Sequence, residues 1–373
     1  MKYINFLIKP ASSSCNLRCK YCFYEDIAEN RTVKNMGLMK EETVEILLKE
    51  AFNLIEEHGE VHFGFQGGEP TLAGLDFFKN FTKRAEELCP EKVTVSYALQ
   101  TNGVLIDEEW AHFFKENDFL IGLSLDGFSD LHNLNRIDAK QNDTYNKVLN
   151  TFNLLEKTGV NINILCVVTS ACAKKSEKVY NELKKIGAKY IQFIPCLDPI
   201  DTKKGSTPFS LTPKLYTEFL CKIFDLWFKD YSSGNYISIR AFDDYVNIIL
   251  GKSAGTCATC GRCGSYLVVE GDGGIYPCDF FVLDEWKMGT LGENPLLEIA
   301  ESENAKKFLN WGQEKPEECY SCKYRILCNG GCKNDWITEN EKIHNYYCPA
   351  FKKFFEYAEQ RLLMIARNEK RFI

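Results

Sequence analysis

Short apolar runs alternate with longer amphipathic stretches over the first 200 residues of the chain. Short β-branched and aromatic runs predict strands, whereas apolar residues at three- and four-residue spacing between charged ones predict helices. The predicted strands are residues 4–8, 61–65, 93–99, 119–124, 163–168 and 190–194. The predicted helices are residues 40–57, 75–88, 108–115, 144–157 and 175–185.

This order predicts an α/β fold built from strand–helix steps around a parallel sheet. Six steps are fewer than the eight of a closed barrel, so we predict a partial, laterally open (β/α)6 barrel of TIM-barrel type. We place the barrel and a bridging helix in residues 1–230 and a Cys-rich domain in residues 231–350. A C-terminal helix in residues 351–373 is expected to pack on the body. Chemistry is expected where the parallel strands end.

Composition narrows the classes of function. The 45 Lys and Arg against 52 Asp and Glu give a net charge of -7, which argues against a nucleic-acid partner. No apolar run is long enough to span a bilayer, so we expect no membrane association and a cytoplasmic location. Seventeen Cys stand beside five His. In a reducing compartment, clustered Cys indicate metal sites with thiolate ligands.

The first Cys group follows the first predicted strand with the spacing C-x3-C-x2-C and consists of Cys15, Cys19 and Cys22. Three thiolates suit an iron–sulfur cluster with one iron open to a small molecule, because such clusters otherwise have four Cys ligands. A zinc knuckle with a distant fourth ligand, or three unrelated thiols, are the alternatives. The sequence Gly67-Gly68-Glu69-Pro70 follows the second strand, where two glycines permit a close approach of the backbone to a ligand.

The second Cys group is C-terminal and supplies enough thiolates for two four-Cys sites. Its members are Cys257, Cys263, Cys278, Cys319, Cys322, Cys328, Cys332 and Cys348. Two zinc ribbons are the structural alternative. Cys260 is a ninth thiol in this region and could replace Cys257 or Cys263 as a ligand.

The Cys triplet, GGEP and the partial barrel together resemble the radical S-adenosylmethionine (SAM) superfamily. The resemblance implies that Cys15, Cys19 and Cys22 hold a [4Fe-4S] cluster whose open iron binds SAM. It further implies that Gly67, Gly68 and Glu69 contact the methionyl ammonium of SAM. Ser124 and Asp126 would contact its ribose, and Arg136 would contact its carboxylate.

The whole chain resembles the anaerobic sulfatase-maturating enzymes, which carry a C-terminal SPASM domain. IKPASSSCNLRCKYCFY, FQGGEPTLAG and YPCDFFVLD agree with the pattern of that family. The resemblance implies two interleaved [4Fe-4S] sites, one at Cys257, Cys263, Cys278 and Cys332 and one at Cys319, Cys322, Cys328 and Cys348. It also implies that Asp279 is the general base and that Gln66 and Tyr24 lie near the substrate side chain.

The family's reaction is the oxidation of a Cys or Ser of a type I sulfatase to Cα-formylglycine. A 5'-deoxyadenosyl radical removes a Cβ hydrogen, after which Asp279 would accept a proton and an auxiliary cluster an electron. The implied cofactors are three [4Fe-4S] clusters and SAM, and the implied partners are an unfolded sulfatase polypeptide and a low-potential flavodoxin or ferredoxin. A peptide maturase that forms thioether or carbon–carbon crosslinks, and a zinc-bound Cys-rich binding protein, are the alternatives.

Overall fold

A computed structural model describes residues 1–264 and 266–370 of the 373-residue chain. The strands are β1 (Tyr3–Ile8), β2 (Glu60–Phe65), β3 (Thr94–Thr101), β4 (Leu120–Ser124), β5 (Asn161–Val168), β6 (Tyr190–Pro195), β7 (Ser238–Ile239), β8 (Leu267–Val269), β9 (Gly274–Tyr276), β10 (Gly289–Thr290), β11 (Trp336–Glu339) and β12 (Lys342–Asn345).

The helices of the first half are α1 (Phe23–Glu29), α2 (Glu41–Leu54), α3 (Leu75–Leu88), α4 (Glu108–Glu116), α5 (Ser129–Asn135), α6 (Tyr145–Thr158), α7 (Ser170–Ala173) and α8 (Ser176–Lys185). Those of the second half are α9 (Pro213–Ser232), α10 (Arg240–Ile249), α11 (Cys257–Cys260), α12 (Leu296–Ala300), α13 (Glu303–Gln313), α14 (Arg325–Cys328) and α15 (Cys348–Lys370). Short 3-10 turns lie at Pro70–Ala73, Asp279–Phe281, Asp284–Trp286, Glu317–Cys319 and Lys333–Asp335.

One compact unit comprises residues 1–124, 133–162 and 264–309. Its strands follow the order β10-β9-β8-β1-β2-β3-β4. β1 pairs in parallel with β2 from Tyr3 opposite Glu60 to Ile8 opposite Phe65, and it pairs in parallel with β8 on its other edge. β8, β9 and β10 are joined antiparallel, so a segment from the C-terminal half extends the sheet of the N-terminal half.

Aromatic side chains between the sheet and the helices form the core of this unit. Phe63, Phe65 and Phe81 are at most 1% exposed, and the ring centroid of Phe81 lies 5.1 Å from that of Phe63 and 5.0 Å from that of Phe65. Burial of each such ring contributes about 2–3 kcal/mol relative to an exposed position. α4 begins where the Asp107 carboxylate accepts a hydrogen bond from the amide of Trp110 at 3.1 Å, which satisfies one of the helix's unpaired donors.

Among the described residues, the second compact unit comprises residues 125–132, 163–263 and 310–370. Its parallel strands β5, β6 and β7 are neighbours in that order. Phe224 of α9, Phe242 of α10 and Phe354 of α15 are buried together, with the centroid of Phe224 5.2 Å from that of Phe242 and 5.6 Å from that of Phe354. The C-terminal helix is therefore part of this unit's core.

The six strands predicted from the sequence are present, with ends that differ by one to two residues, and α3 has the predicted bounds. The C-terminal helix α15 begins three residues before the predicted start at residue 351, and residues 371–373 of that prediction lie outside the described residues. The predicted domain division at residues 230 and 350 stays a prediction. Within residues 1–264 and 266–370, no helix is both long and apolar enough to cross a membrane.

Candidate active site and cluster sites

The Cys triplet lies in the loop between β1 and α1. Cys22 caps α1, because its Sγ accepts a hydrogen bond from the amide of Glu25 at 3.4 Å. The Sγ of Cys15 accepts one from the amide of Leu17 at 3.4 Å. Burial is the main cause that raises the pKa of Cys15 to about 12, and the charges of Glu69, Cys19 and Cys22 contribute to this shift. Thiolates placed so close together need a cation to offset their charge.

Two polar side chains from later in the chain lie beside this triplet. Asn102 Nδ2 lies 3.9 Å from the Sγ of Cys15 and donates to Asn16 Oδ1 at 2.7 Å. Arg136 Nη1 lies 4.0 Å from the Sγ of Cys19. The structure thus brings Arg136, a predicted SAM contact, to the Cys loop. Asn102 belongs to residues 100–103, a group expected at the edge where the strands end, but the sequence assigned it no role.

The GGEP loop packs against the backbone that leads into the triplet. The amides of Gly68 and Glu69 donate to the carbonyls of Ser12 and Ser14, each at 2.8 Å. A Cβ at Gly68 would lie 2.1 Å from the carbonyl oxygen of Ser14. Glycine is therefore required at position 68 by this close approach of two loops.

The Glu69 carboxylate is buried and connects the ends of β2 and β3. It accepts hydrogen bonds from the Thr101 hydroxyl and from the Asn102 amide, both at 2.8 Å, as well as from Thr71. Burial raises its pKa, and these hydrogen bonds oppose that shift. The side chain of Glu69 therefore fixes the loops that surround the triplet.

The two residues predicted to bind ribose are buried. Ser124, the last residue of β4, is 6% exposed, and Asp126 is 2% exposed. Asp126 Oδ1 accepts a hydrogen bond from the amide of Val167 in β5 at 2.9 Å. This bond fixes the direction of the Asp126 carboxylate.

Two of the three residues predicted to act on substrate are in contact. Asp279 accepts a hydrogen bond from Gln66 Nε2 at 2.9 Å and forms an ion pair with Lys9. Lys9 and Gln66 follow β1 and β2, and the amide of Lys9 donates to the carbonyl of Val269 at 2.8 Å, which continues the β1–β8 ladder. That ladder explains how residue 279 reaches the end of the first strand. Lys9 has no exposed surface.

Tyr24 belongs to a second buried group of charges. Its hydroxyl hydrogen-bonds to Glu270, which also forms an ion pair with Arg31 at 2.7 Å. The Lys9 ammonium lies 3.9 Å from the centroid of the Tyr24 ring and the Arg31 guanidinium carbon 5.6 Å from it, so the ring is in contact with both ion pairs. Sequence reasoning missed Lys9, Arg31 and Glu270, because isolated charged residues carry no spacing signal.

Four predicted ligands of the C-terminal region converge on one cavity. Cys319, Cys322, Cys328 and Cys348 line it together with Tyr324, Phe351 and Phe355. Burial is the main cause that raises the pKa of Cys328 to about 12 and that of Cys348 to about 11, and the charges of neighbouring thiols contribute to the shift of Cys328. A multi-iron cluster would offset the charge of four such thiolates.

The other predicted set is divided between the two units. Cys257, Cys263 and Cys332 belong to the second unit and Cys278 to the first. Burial raises the pKa of Cys257, and the nearest charge to raise it further is Cys263. Cys260 is exposed, and its thiol donates to the carbonyl of Ala254 at 3.3 Å. Cys278 Sγ lies 3.7 Å from the hydroxyl of Tyr266.

Four thiols that line one cavity are a complete ligand set for either a zinc ion or an iron–sulfur cluster. Among the described residues, no three His, Cys, Asp or Glu side chains are arranged to hold a single metal ion.

Comparisons with known proteins agree with this chemistry. Residues 10–170 match the family model described as the radical SAM superfamily, and residues 254–323 match that of an iron–sulfur cluster-binding domain called SPASM. The fold and the Cys groups therefore define a radical SAM protein with a partial (β/α)6 barrel and a SPASM domain.

Relatives at higher identity narrow the family. The chain is 46% identical to a cysteine-type anaerobic sulfatase-maturating enzyme of Clostridium perfringens over 99% of this chain and 100% of that protein. It is 31% identical to a serine-type enzyme of Bacteroides thetaiotaomicron over 95% and 89% of the two chains. The protein belongs to the family of anaerobic sulfatase-maturating enzymes.

A solved structure confirms the fold class. It is described as native anSMEcpe with bound AdoMet and Kp18Cys peptide, and it superposes with a TM-score of 0.92 at 44% identity over 98% of this chain and 99% of that one. As a member of this family, the protein is a radical SAM enzyme whose cofactors are iron–sulfur clusters and SAM.

Proposed function

We propose that this protein oxidises a cysteine of a sulfatase polypeptide to Cα-formylglycine. The observation that carries the proposal is the buried contact of Asp279 with Lys9 and Gln66, directly after the predicted ligand Cys278. It places a carboxylate and an amide beside each other at the strand ends, where barrel enzymes bind substrate. The alternative of a crosslinking peptide maturase is not favoured by the relatives.

Cysteine is proposed as the preferred target residue because this chain has a higher sequence identity to the cysteine-type relative than to the serine-type relative. Identity to the cysteine-type enzyme is 46%, whereas identity to the serine-type enzyme is 31%. A solved structure that superposes on this chain with a TM-score of 0.92 at 44% identity is described with a bound peptide whose name ends in Cys. A serine target is the second candidate.

Each residue of the Asp279 contact has a proposed task. Asp279 accepts the proton that the substrate loses, and a base positioned within hydrogen-bond reach typically contributes 10²–10⁴-fold in rate. Lys9 and Gln66 fix the two carboxylate oxygens, since Lys9 contacts Oδ1 and Gln66 contacts Oδ2. The aromatic ring of Tyr24 closes the other side of Lys9.

The bound clusters and SAM supply the radical that removes hydrogen and the site that receives the substrate's electron. Cys15, Cys19 and Cys22 would hold the SAM-binding cluster, with Gly67, Gly68, Glu69, Ser124, Asp126 and Arg136 around SAM. The eight C-terminal Cys would hold the two auxiliary clusters. A flavodoxin or ferredoxin as electron donor and a cytoplasmic location belong to this proposal.

Anaerobic assays with two peptides test the proposal. The peptides share a sulfatase active-site sequence and differ only in Cys or Ser at the target position, and mass spectrometry detects the aldehyde. We expect formylglycine from the Cys peptide at a rate at least equal to that from the Ser peptide. SAM cleavage without aldehyde from either peptide would contradict the proposed reaction.

Asp279→Asn tests the assigned base. It should lower aldehyde formation per SAM cleaved by about 10²–10⁴-fold, because the amide cannot accept the proton. Asp284→Asn is the matched control, since Asp284 is exposed on the same segment and accepts hydrogen bonds from Thr32. An undiminished yield from the Asp279 variant would place the base elsewhere.

A further inference from the structure

Lys315 lies between the two C-terminal Cys groups of the second unit. It follows α13 and precedes the 3-10 turn Glu317–Cys319. Its ammonium donates to the carbonyl of Gly261 at 2.9 Å and to that of Gly312 at 2.8 Å. Gly261 stands two residues before Cys263, so Lys315 connects the loop of one predicted ligand set to the loop of the other.

Thiols of both predicted sets act on this ammonium. Burial lowers the pKa of Lys315, and the charges of Cys263, Cys332 and Cys319 raise it. Cys263 and Cys332 belong to one predicted set and Cys319 to the other. The ammonium also lies 5.5 Å from the ring centroid of Trp336, so an aromatic face borders it.

We propose that the Lys315 ammonium raises the reduction potential of the auxiliary clusters and thereby favours transfer of the substrate's electron to them. This inference rests on the proposed four-Cys ligand sets. One electron leaves the substrate radical and reduces one cluster, while the ammonium neither gains nor loses charge. Net charge, hydrogen bonds and solvent exposure set the potential of such clusters. A cation in a half-buried position offsets the added negative charge more strongly than one in water.

Lys323 provides the matched control. It is adjacent to Cys322, but its side chain is 66% exposed and pairs with Glu359 at 2.7 Å. Water, salt and the carboxylate all screen its charge. If proximity along the sequence were sufficient, Lys323 would affect the clusters as much as Lys315 does.

The experiment compares Lys315→Gln, Lys315→Arg and Lys323→Gln with the unchanged protein, each reconstituted anaerobically with its clusters. Redox titration followed by electron paramagnetic resonance gives the midpoint potential of each cluster. Lys315→Gln should lower the equilibrium constant for reduction of at least one auxiliary cluster about tenfold, or about 59 mV for one electron. Lys315→Arg and Lys323→Gln should stay within about twofold.

Several results would overturn the inference. Unchanged potentials in fully loaded Lys315→Gln, or an equal shift in Lys323→Gln, would show that the Lys315 charge has no special effect. Iron loss in Lys315→Gln that Lys315→Arg does not repair would assign a purely structural role to the side chain. If Lys315→Arg retained the iron that Lys315→Gln loses, the result would support the need for a positive charge at position 315. The potentials need no sulfatase peptide, so failure of the proposed substrate reaction is recognised separately by the peptide assay.

Discussion

The Cys loop at residues 15–22 and the Cys-lined cavity at residues 319–348 both present clustered thiols, but they differ in the number of thiols and in their surroundings. The first has three thiols, with the polar groups of Asn102 and Arg136 beside them. The second has four thiols, and aromatic side chains line it together with Glu318, Arg325 and Lys352. Three thiolates would leave one iron of a cluster open to a small molecule, whereas four would complete the ligand set and leave electron transfer as the role of the cluster.

The loops that carry the two groups of thiols also differ in how the rest of the protein supports them. The Cys15 loop is held from outside, by GGEP and by the buried Glu69 carboxylate. Cys319 and Cys328 end short turns of the C-terminal region, Glu317–Cys319 and α14, whereas Cys348 is the first residue of the long helix α15. We infer that the first loop is preorganised by the barrel and that the second region depends on its cluster for order.

The largest expected effect comes from removing a ligand of the incomplete set. Cys15→Ala should lower SAM cleavage by more than about 100-fold, which exceeds the usual effect of losing an outer partner of a metal site. The measurement is 5'-deoxyadenosine formed anaerobically. Cys89→Ala is the control, because Cys89 caps the C-terminus of α3 outside every predicted set. If Cys15→Ala still cleaved SAM at the original rate, the proposed difference between the Cys15 loop and the Cys-lined cavity would be contradicted.

Removing a ligand of the complete set should separate the two chemistries. Cys348→Ala should reduce bound iron by one four-iron cluster and lower formylglycine formation, while SAM cleavage continues. Iron analysis and the ratio of aldehyde to 5'-deoxyadenosine measure the two effects. Cys221→Ala in α9 is the control. If Cys348→Ala lost 5'-deoxyadenosine and formylglycine to the same extent, the Cys-lined cavity would be required for SAM cleavage at the Cys15 loop.

A smaller effect tests how the barrel holds the Cys15 loop. Gly68→Ala should weaken SAM binding about 10–100-fold, because its Cβ would meet the carbonyl of Ser14 at 2.1 Å and displace the loop. Equilibrium binding of SAM to the reconstituted protein measures this. Gly64→Ala on β2 is the control, since the atoms nearest its Cβ would lie at ordinary contact distances of 3.4–3.6 Å. Equal affinities of both variants would show that the loop adapts.

The smallest effect tests the interior of the second unit. Among the described residues, Asp335 Oδ1 is buried without a hydrogen-bond partner, and burial raises the pKa of Asp335 to about 6. The protonated Asp335 carboxyl is favoured in the folded state, because its pKa there is raised above the unfolded value near 3.9. The stability it contributes is therefore fully present below about pH 3.9 and is lost as the pH rises through the folded pKa of about 6. Asp335→Asn should therefore increase the free energy of unfolding at pH 7.5 by about 1–3 kcal/mol.

Urea unfolding at pH 5.5 and 7.5 measures the effect of Asp335→Asn, and the gain should be smaller at the lower pH. Asp198→Asn is the contrasting control, because the Asp198 carboxylate accepts hydrogen bonds from Ser210 and from the amide of Gly205. That variant should lose stability at both values. A loss of stability in both variants at pH 7.5 would contradict the assigned cost of the Asp335 charge.

The sequence by itself determined the strand–helix order and the bounds of α3, and it predicted the membership of the Cys groups. Hydrophobic periodicity and Cys spacing are local properties, so they survive without knowledge of the fold. The resemblance also singled out Asp279 and Gln66, which the structure brings within 2.9 Å of each other across 213 positions of sequence.

Only the tertiary structure decided which charges share a buried environment. Lys9 meets Asp279 because β8 pairs with β1, and Arg31 meets Glu270 across 239 positions. Lys315 reaches the loop of Cys263 across 54 positions. Such pairs have no periodic signature, because a single charged residue in a loop has the same local sequence whether it is solvated or buried. A buried charge without a partner is costly, so burial makes these pairings necessary, and burial exists only after the chain has folded.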